Sequence, residues 1–183
     1  MNADSFSVPV HDTITLRFIR PDEAEALFKL VDKNRAYLRE WLDWVDAQTG
    51  PEVSQENILK RIKEATAGEA LDLGIYQNAV LIGSMGFNRI KKEGRRDEMG
   101  YWLAEEHGGK GIMTDCVRAL VSYGFRELKL HRIEIHSSTK NEKSAAIPER
   151  LGFKLDGILR DGSFLYDHFE SSKVYSMLEG EWK

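Results

Sequence analysis

A chain of 183 residues can bury roughly 70% of its unfolded surface, so it can hold a core without disulfide or metal staples. With 42% hydrophobic residues, 31% charged residues and only four prolines it is not disordered, collagenous or low in complexity. A net charge of -4 (26 basic against 30 acidic residues) argues against a dedicated nucleic-acid binder, and the single cysteine, Cys116, excludes an internal disulfide or a thiolate zinc site.

The first strand signal spans residues 13–19, where Ile14, Leu16 and Phe18 alternate with Thr15 and Arg17. Pro21, Asp22 and Glu23 then open a helix whose apolar stripe is Ala24, Leu27, Phe28 and Val31. A short second helix carries Tyr37, Leu38, Trp41 and Leu42 on one side and breaks at Gly50 and Pro51. Ser54 is placed to cap a third helix, with Ile58, Ile62 and Ala65 inward and Gly68 at its end. The period then changes. Leu71, Leu73 and Ile75 alternate, Gln77 and Asn78 turn, and residues 80–89 return as the partner strand. A basic stretch at 91–96 leads to a strand at 97–103, glycine-rich residues 107–111 and a helix over 112–128 with Met113, Val117, Leu120, Val121 and Leu128 buried. Residues 131–137 read as a strand, 141–151 as a helix closed by Gly152, and 153–178 as two strands joined near Tyr166, Asp167 and His168. Pro148 inside the 141–151 helix predicts a kink or an early end.

These elements predict an α+β (layered α/β) fold, a mixed sheet with helices on its faces, lacking the strict βαβ alternation of a doubly wound nucleotide fold. No repeat or linker divides the chain, so residues 1–183 are expected to form one domain. No apolar run approaches the roughly 20 residues that cross a bilayer, and Met1, Asn2, Ala3 and Asp4 lack the basic start of a secretory signal. The expectation is a cytoplasmic protein without membrane contact.

Two segments carry chemistry. In the first, Tyr101, Trp102 and Leu103 end a strand, Gly108, Gly109, Lys110 and Gly111 follow, and Ile112 begins a helix. Glycines there let backbone N–H groups approach an anion, and the unpaired N–H groups of a helix start add partial positive charge. A pyrophosphate fits this loop, and an ordinary strand-to-helix connection would look the same. A P-loop would need Gly at 104 and Ser or Thr at 111, and a dinucleotide fingerprint from Gly109 would need Gly at 114; Ala104, Gly111 and Thr114 stand there. In the second segment Asn141 is a candidate N-cap and Ser144 lies in the first turn, where its hydroxyl could lend a proton to a leaving group or simply belong to a capped helix. The five histidines show no metal spacing, with His131 and His136 expected on opposite faces of one strand. Cys116 reads as an inert buried thiol, and Arg89, Lys91, Lys92, Arg95 and Arg96 as a solvated hairpin.

Taken in order, several segments resemble the GNAT superfamily of acetyl-CoA-dependent N-acetyltransferases, and its RimJ/RimL-type branch of ribosomal-protein acetyltransferases in particular. They are Arg39-Glu40-Trp41-Leu42-Asp43-Trp44, Gly86-Phe87-Asn88-Arg89-Ile90, Glu98-Met99-Gly100-Tyr101-Trp102-Leu103, Gly109-Lys110-Gly111-Ile112-Met113-Thr114, and the Asn141…Ser144 helix ending in Leu151-Gly152-Phe153. The likeness runs from Thr13 to Trp182. It implies a mostly antiparallel sheet whose central parallel pair splays into a V, with acetyl-CoA bound in the gap and no metal. Trp102 and Leu103 would meet the pantetheine arm, and residues Gly108, Gly109, Lys110, Gly111, Ile112, Met113 and Thr114 the pyrophosphate. The family's loop usually begins with Arg or Gln and ends with Gly or Ala. Gly108 and Met113 stand there instead, leaving the contacts to backbone N–H groups and Lys110.

By the same resemblance an acceptor amine attacks the thioester directly, Ser144 protonates the departing thiolate, and Asn141 holds the cofactor amide or orients the helix. Glu98 is the candidate base, or else a strand-face carboxylate paired with Arg89, Arg95 or Arg96. Some relatives place an acid near the position of Ser163, where this chain has none. Trp41, Trp44, Tyr37, Phe87 and Asn88 are candidate acceptor-site residues, one of the two tryptophans being expected in the core. The implied acceptor is the α-amine of a protein, a ribosomal one among the possibilities. A small amine, or an acyl-CoA-binding module without turnover, are the competing readings, and a homodimer is a possible assembly.

Overall fold

The structure is a computed structural model that describes residues 5–91 and 93–183; Met1 to Asp4 and Lys92 lie outside the described residues. In chain order the elements are β1 (Ser7–His11), β2 (Ile14–Arg17), α1 (Ala24–Lys33), α2 (Arg35–Arg39), α3 (Pro51–Ala67), β3 (Leu71–Gln77), β4 (Val80–Phe87), β5 (Arg96–Leu103), α4 (Ile112–Arg126), β6 (Arg132–Ser138), α5 (Glu142–Arg150), β7 (Lys154–Leu165) and β8 (His168–Leu178). The strands form one sheet in the order β1-β2-β3-β4-β5-β6-β8-β7, antiparallel throughout except for β5 and β6. This is the mixed, layered arrangement with a central parallel pair that the resemblance implied.

That pair is short. Arg96, Asp97 and Glu98 pair with Arg132, Ile133 and Glu134. Beyond them β5 continues to Leu103 against β4 alone, and β6 continues to Ser138 against β8 alone. The two strands therefore diverge into a V whose inner edges have no strand between them.

The period-2 alternation sorts side chains onto two faces. Leu71, Leu73, Ile75, Met85, Phe87, Met99, Ile133 and Ile135 join Val117, Leu120 and Val121 of α4 in the main core. Fully burying each such aliphatic side chain contributes about 1.5–3 kcal/mol, so this layer dominates the fold and fixes where α4 begins. On the other face Tyr76 and Leu81 pack with Ile19, Ala24 and Ile58 beneath α1 and α3.

Several local expectations change, each for a physical reason. β1 has no counterpart in the sequence reading because Pro9 and an exposed edge position mask its alternation; an edge strand tolerates proline. Ser54 caps nothing. Pro51 starts α3 after an extended Gly50, and the buried Ser54 hydroxyl donates to Gln48 Oε1 (2.9 Å). α2 stops at Arg39, short of Trp41, because Arg35 reaches forward to the carbonyls of Val45 and Gln48 (both 2.7 Å) and bends the chain. α5 neither stops nor ends early at Pro148 but runs through it to Arg150.

The start of α1 is pinned by one carboxylate. Glu23 accepts both Arg17 guanidinium nitrogens (2.8 Å each), the Arg20 N–H (2.9 Å) and the Tyr76 hydroxyl (3.0 Å). Burial alone would raise its carboxyl, but these donors bring it down to about 2 from the usual 4.5. A depressed folded-state value means that the stabilisation is complete above about pH 4.5 and is lost as the pH falls toward 2. Glu23→Gln is expected to lower stability by about 2 kcal/mol at pH 7. Urea titrations should show a shallower acid dependence in the variant between pH 4.5 and 2; an unchanged slope would remove Glu23 from the account.

Candidate active site

One large cavity, about 1940 Å³, runs from the N-terminus of α4 through the V to the sheet face under α1 and α3. Its floor, two walls and roof come from different elements, and each is built by a different local device.

The anion end is a turn of backbone. Gly109 (φ 73°) and Gly111 (φ 81°) both adopt the left-handed conformation, and a Cβ at either would meet nothing within 4 Å, so the space above them is open. Gly111 is the N-cap of α4 and supplies no side-chain cap; the first bond back to it comes from Asp115 N–H (3.1 Å). The N–H groups of Ile112, Met113 and Thr114 therefore have no helical partner. Lys110 is exposed at the cavity and its ammonium donates to the Glu106 carbonyl (2.8 Å). A second basic group arrives from α5: Arg150 donates to the Thr114 hydroxyl (2.8 Å) at the cavity wall. The sequence signal for it was its place two residues before Gly152 in the same motif as Ser144.

The walls of the V are strand edges. Ala104 N–H donates to Ile82 C=O (2.9 Å) and Asn88 N–H to Glu98 C=O (3.0 Å), which sets the alternation along β5. By that alternation the main-chain groups of Trp102 are spent on Ser84 of β4, while those of Tyr101 and Leu103 face the gap. The edge groups expected at Trp102 and Leu103 are thus those of Tyr101 and Leu103.

On the α4 and α5 side of the gap stands Ser144. Asn141 is its N-cap, as expected, the side-chain Oδ1 accepting Ser144 N–H (3.0 Å). Ser144 Oγ donates to the Tyr101 hydroxyl (3.3 Å), and that hydroxyl donates to the Ser144 carbonyl (3.2 Å). Burial pushes the Tyr101 phenol up to about 12, so it stays protonated. Cys116 lies in the core with its thiol pushed up to about 12, again by burial, and takes no part.

The opposite side of the gap is acidic. Glu98 makes no ion pair with Arg89, Arg95 or Arg96 among the described residues; its Oε2 lies 3.6 Å from His136 Nδ1. His136 Nε2 is 3.2 Å from Glu134 Oε2, and Arg132 donates to Glu134 Oε1 (2.8 Å). Burial would raise the Glu134 carboxyl, but Arg132 and His136 bring it below its usual range. An ionised Glu134 can only accept, so His136 donates to it from Nε2, and the other ring nitrogen, Nδ1, faces Glu98. His136 was passed over in the sequence because its partner is a strand away; the parallel pairing of Glu98 with Glu134 is what brings them together. At the base of the V the Asp97 carboxylate accepts the N–H groups of Arg89 (2.9 Å) and Glu98 (2.6 Å), and burial raises it to about 6.

Above this face Gly86 pairs with Gly100, both lining the cavity without side chains; the Leu71 carbonyl of β3 lies against Gly86 and the Asn88 side chain against Gly100. Asp72, bonded by Ser84 (2.7 Å) and held above the usual carboxylate range by burial, borders this pair. Tyr37, Trp41 and Trp44 line the roof. Trp44 packs with Trp102 (ring centroids 6.1 Å) and the Val31, Leu38 and Val45 cluster, so it is the tryptophan with the core role, and both lie after α2 rather than on it. Phe87 is 1% exposed, its ring pressed against Gly124 of α4, and it bounds the cavity only from within the core. Tyr166, seen in the sequence only as a turn residue, ties the roof down: its hydroxyl donates to Leu42 C=O (2.6 Å) and the Arg39 guanidinium lies 3.8 Å over its ring.

Comparison with known proteins follows this geometry. The Acetyltransferase (GNAT) domain model matches residues 13–154. YdaF of Bacillus subtilis (strain 168) is 34% identical over 97% of this chain and 98% of its own, and the ribosomal-protein-serine acetyltransferase of Escherichia coli (strain K12) is 27% identical over 94% and 96%. Among solved structures, the ribosomal L7/L12 alpha-N-protein acetyltransferase RimL in complex with coenzyme A superposes with a TM-score of 0.91 at 28% identity, covering 94% of this chain and 98% of that one. The microcin C7 self-immunity acetyltransferase MccE, in complex with acetyl-CoA and AMP, gives 0.88 at 27% identity, covering 92% and 94%.

Proposed function

The chain belongs to the GNAT acetyltransferase family and is an acetyl-CoA-dependent N-acetyltransferase, and we propose that its acceptor is the N-terminal α-amine of a protein, a ribosomal protein by the names of its relatives. The observation that carries the acceptor is the side-chain-free Gly86–Gly100 pair on the cavity wall, bordered by the Asp72 and Glu98 carboxylates and leading to the gap. An extended chain end with a positive charge suits such a wall. Base strength points the same way. An α-amine of pKa about 8 is roughly one-tenth neutral at pH 7, whereas a lysine amine near 10.4 is neutral about once in 2,500 molecules. A carboxylate and an imidazole have far less to do for the first.

The cofactor fits the residues present: open space over two left-handed glycines, uncapped N–H groups at 112–114, and a free strand edge at Tyr101 and Leu103. When bound, acetyl-CoA supplies the thioester carbonyl and leaves as a thiol. Residues 108–114, joined by Arg150, would hold the pyrophosphate through N–H groups and one guanidinium. The free main-chain groups of Tyr101 and Leu103 would hold the pantetheine arm. Glu98, with His136 beside it, takes the proton from the acceptor amine on one side of the gap. Ser144 gives a proton to the leaving sulfur from the other side, set by the Asn141 cap. Attack and departure are thus served from opposite faces of the sheet.

A peptide with a free N-terminal serine should release thiol from acetyl-CoA, while the same peptide with a blocked N-terminus and an internal lysine should not. Spermidine turned over faster than the free peptide would overturn the acceptor and leave the cofactor reading intact.

A further inference from the structure

α5 contains a defect at the one position where it matters to Ser144. In an α-helix the carbonyl of residue i accepts the N–H of residue i+4. For Ser144 that residue is Pro148, which has no N–H, yet α5 continues through it to Arg150. The orphaned carbonyl is taken by the hydroxyl of Tyr101 on β5 (3.2 Å), and the same hydroxyl accepts from Ser144 Oγ (3.3 Å). A single phenol therefore holds both polar ends of one serine, and with no N–H at Pro148 it meets no helical donor competing for the carbonyl.

We propose that Pro148 and Tyr101 are positioning residues for the Ser144 hydroxyl: the proline frees the Ser144 carbonyl, and the tyrosine, anchored on that carbonyl, fixes the Oγ at the edge of the gap. The inference rests on the reading of Ser144 as proton donor. With its own proton committed to the carbonyl, Tyr101 offers Ser144 Oγ an acceptor and not a competing donor. The serine proton is then parked on the phenol oxygen until a stronger acceptor, the leaving sulfur, appears beside it. Restoring an N–H at 148 would recapture the carbonyl. The phenol proton would then be free to turn onto Oγ, and the serine would lose its fixed orientation.

The proline also opposes the helix it sits in, which separates this role from ordinary structural support. Pro148→Ala should raise the melting temperature, because the helix regains a hydrogen bond, and lower kcat about tenfold with KM for acetyl-CoA unchanged. Tyr101→Phe should lower kcat by a similar factor, and the double variant should fall no further than either single one, since both remove the same arrangement. Ser144→Ala is the control for the parent reading. If it leaves kcat intact, the donor role fails and this inference with it. If Ser144→Ala slows turnover while Pro148→Ala and Tyr101→Phe do not, or if the two effects multiply in the double variant, the positioning claim alone is overturned. A Pro148→Ala protein that melts lower than the parent also counts against it.

Discussion

Gly111→Val is expected to raise the KM for acetyl-CoA at least about 100-fold without unfolding the protein. At φ 81° Gly111 occupies a region that costs an L-residue about 1–2 kcal/mol and a β-branched one more. A Cβ there meets nothing within 4 Å, so the fold itself has room for valine. What has no room to adapt is the direction of the N–H groups. If the backbone relaxes toward negative φ, the donors at the head of α4 swing away from a phosphate, and two charge-assisted hydrogen bonds at about 1.5–3 kcal/mol each are lost. That is about 3–6 kcal/mol, far more than the lost freedom of one side chain. Lys110→Ala is the matched comparison. Its ammonium is engaged with the Glu106 carbonyl at the surface, and its removal should change KM less than about threefold. Calorimetry with acetyl-CoA reads both. Near-normal binding by the valine variant together with a large loss on Lys110→Ala would show that a side chain and not the main chain cradles the anion.

How far the sequence reaches is visible in these same residues. The glycines and the N-cap at Asn141 are local patterns that mark the loop and Ser144, whereas which main-chain groups of β5 face the gap depends on its pairing with β4. The partner of Lys110 was not legible in the sequence, because only the folded turn of residues 105–107 brings the Glu106 carbonyl within its reach. Tyr101 and Pro148 were both in plain view, as a strand residue and a helix irregularity. Their connection spans two elements, and no spacing rule joins residues 101 and 148. His136 shows the same limit. Its neighbours in sequence say only which face it takes, and its meeting with Glu98 depends on β5 and β6 being parallel and in one particular register. Long-range register is the information a period cannot carry.

That register leads to the second large effect. Glu98→Gln should lower kcat/KM by about 100- to 1,000-fold near neutral pH, the range expected when a positioned base is removed. Its side chain is 44% exposed to the cavity, so the amide is accommodated without strain and a loss of rate cannot be laid to misfolding. A base that strips an ammonium is needed less as the pH rises past the acceptor's own pKa of about 8, so the deficit should shrink steadily above that point. A merely structural carboxylate would leave a deficit that does not change with pH. His136→Gln keeps a donor for Glu134 while removing the ring nitrogen that faces Glu98, and it should produce a smaller loss, about tenfold, with the same recovery at high pH. If the two groups act on one proton, the double variant should be little slower than Glu98→Gln alone. The charged groups around them bear on the reading. Glu134, locked by Arg132 and drawn below its usual range, remains an anion through the neutral region and cannot itself relay the proton onward. Equal deficits at pH 6 and pH 10 for Glu98→Gln would sink the base assignment, and the proton would have to leave the amine before it enters the V.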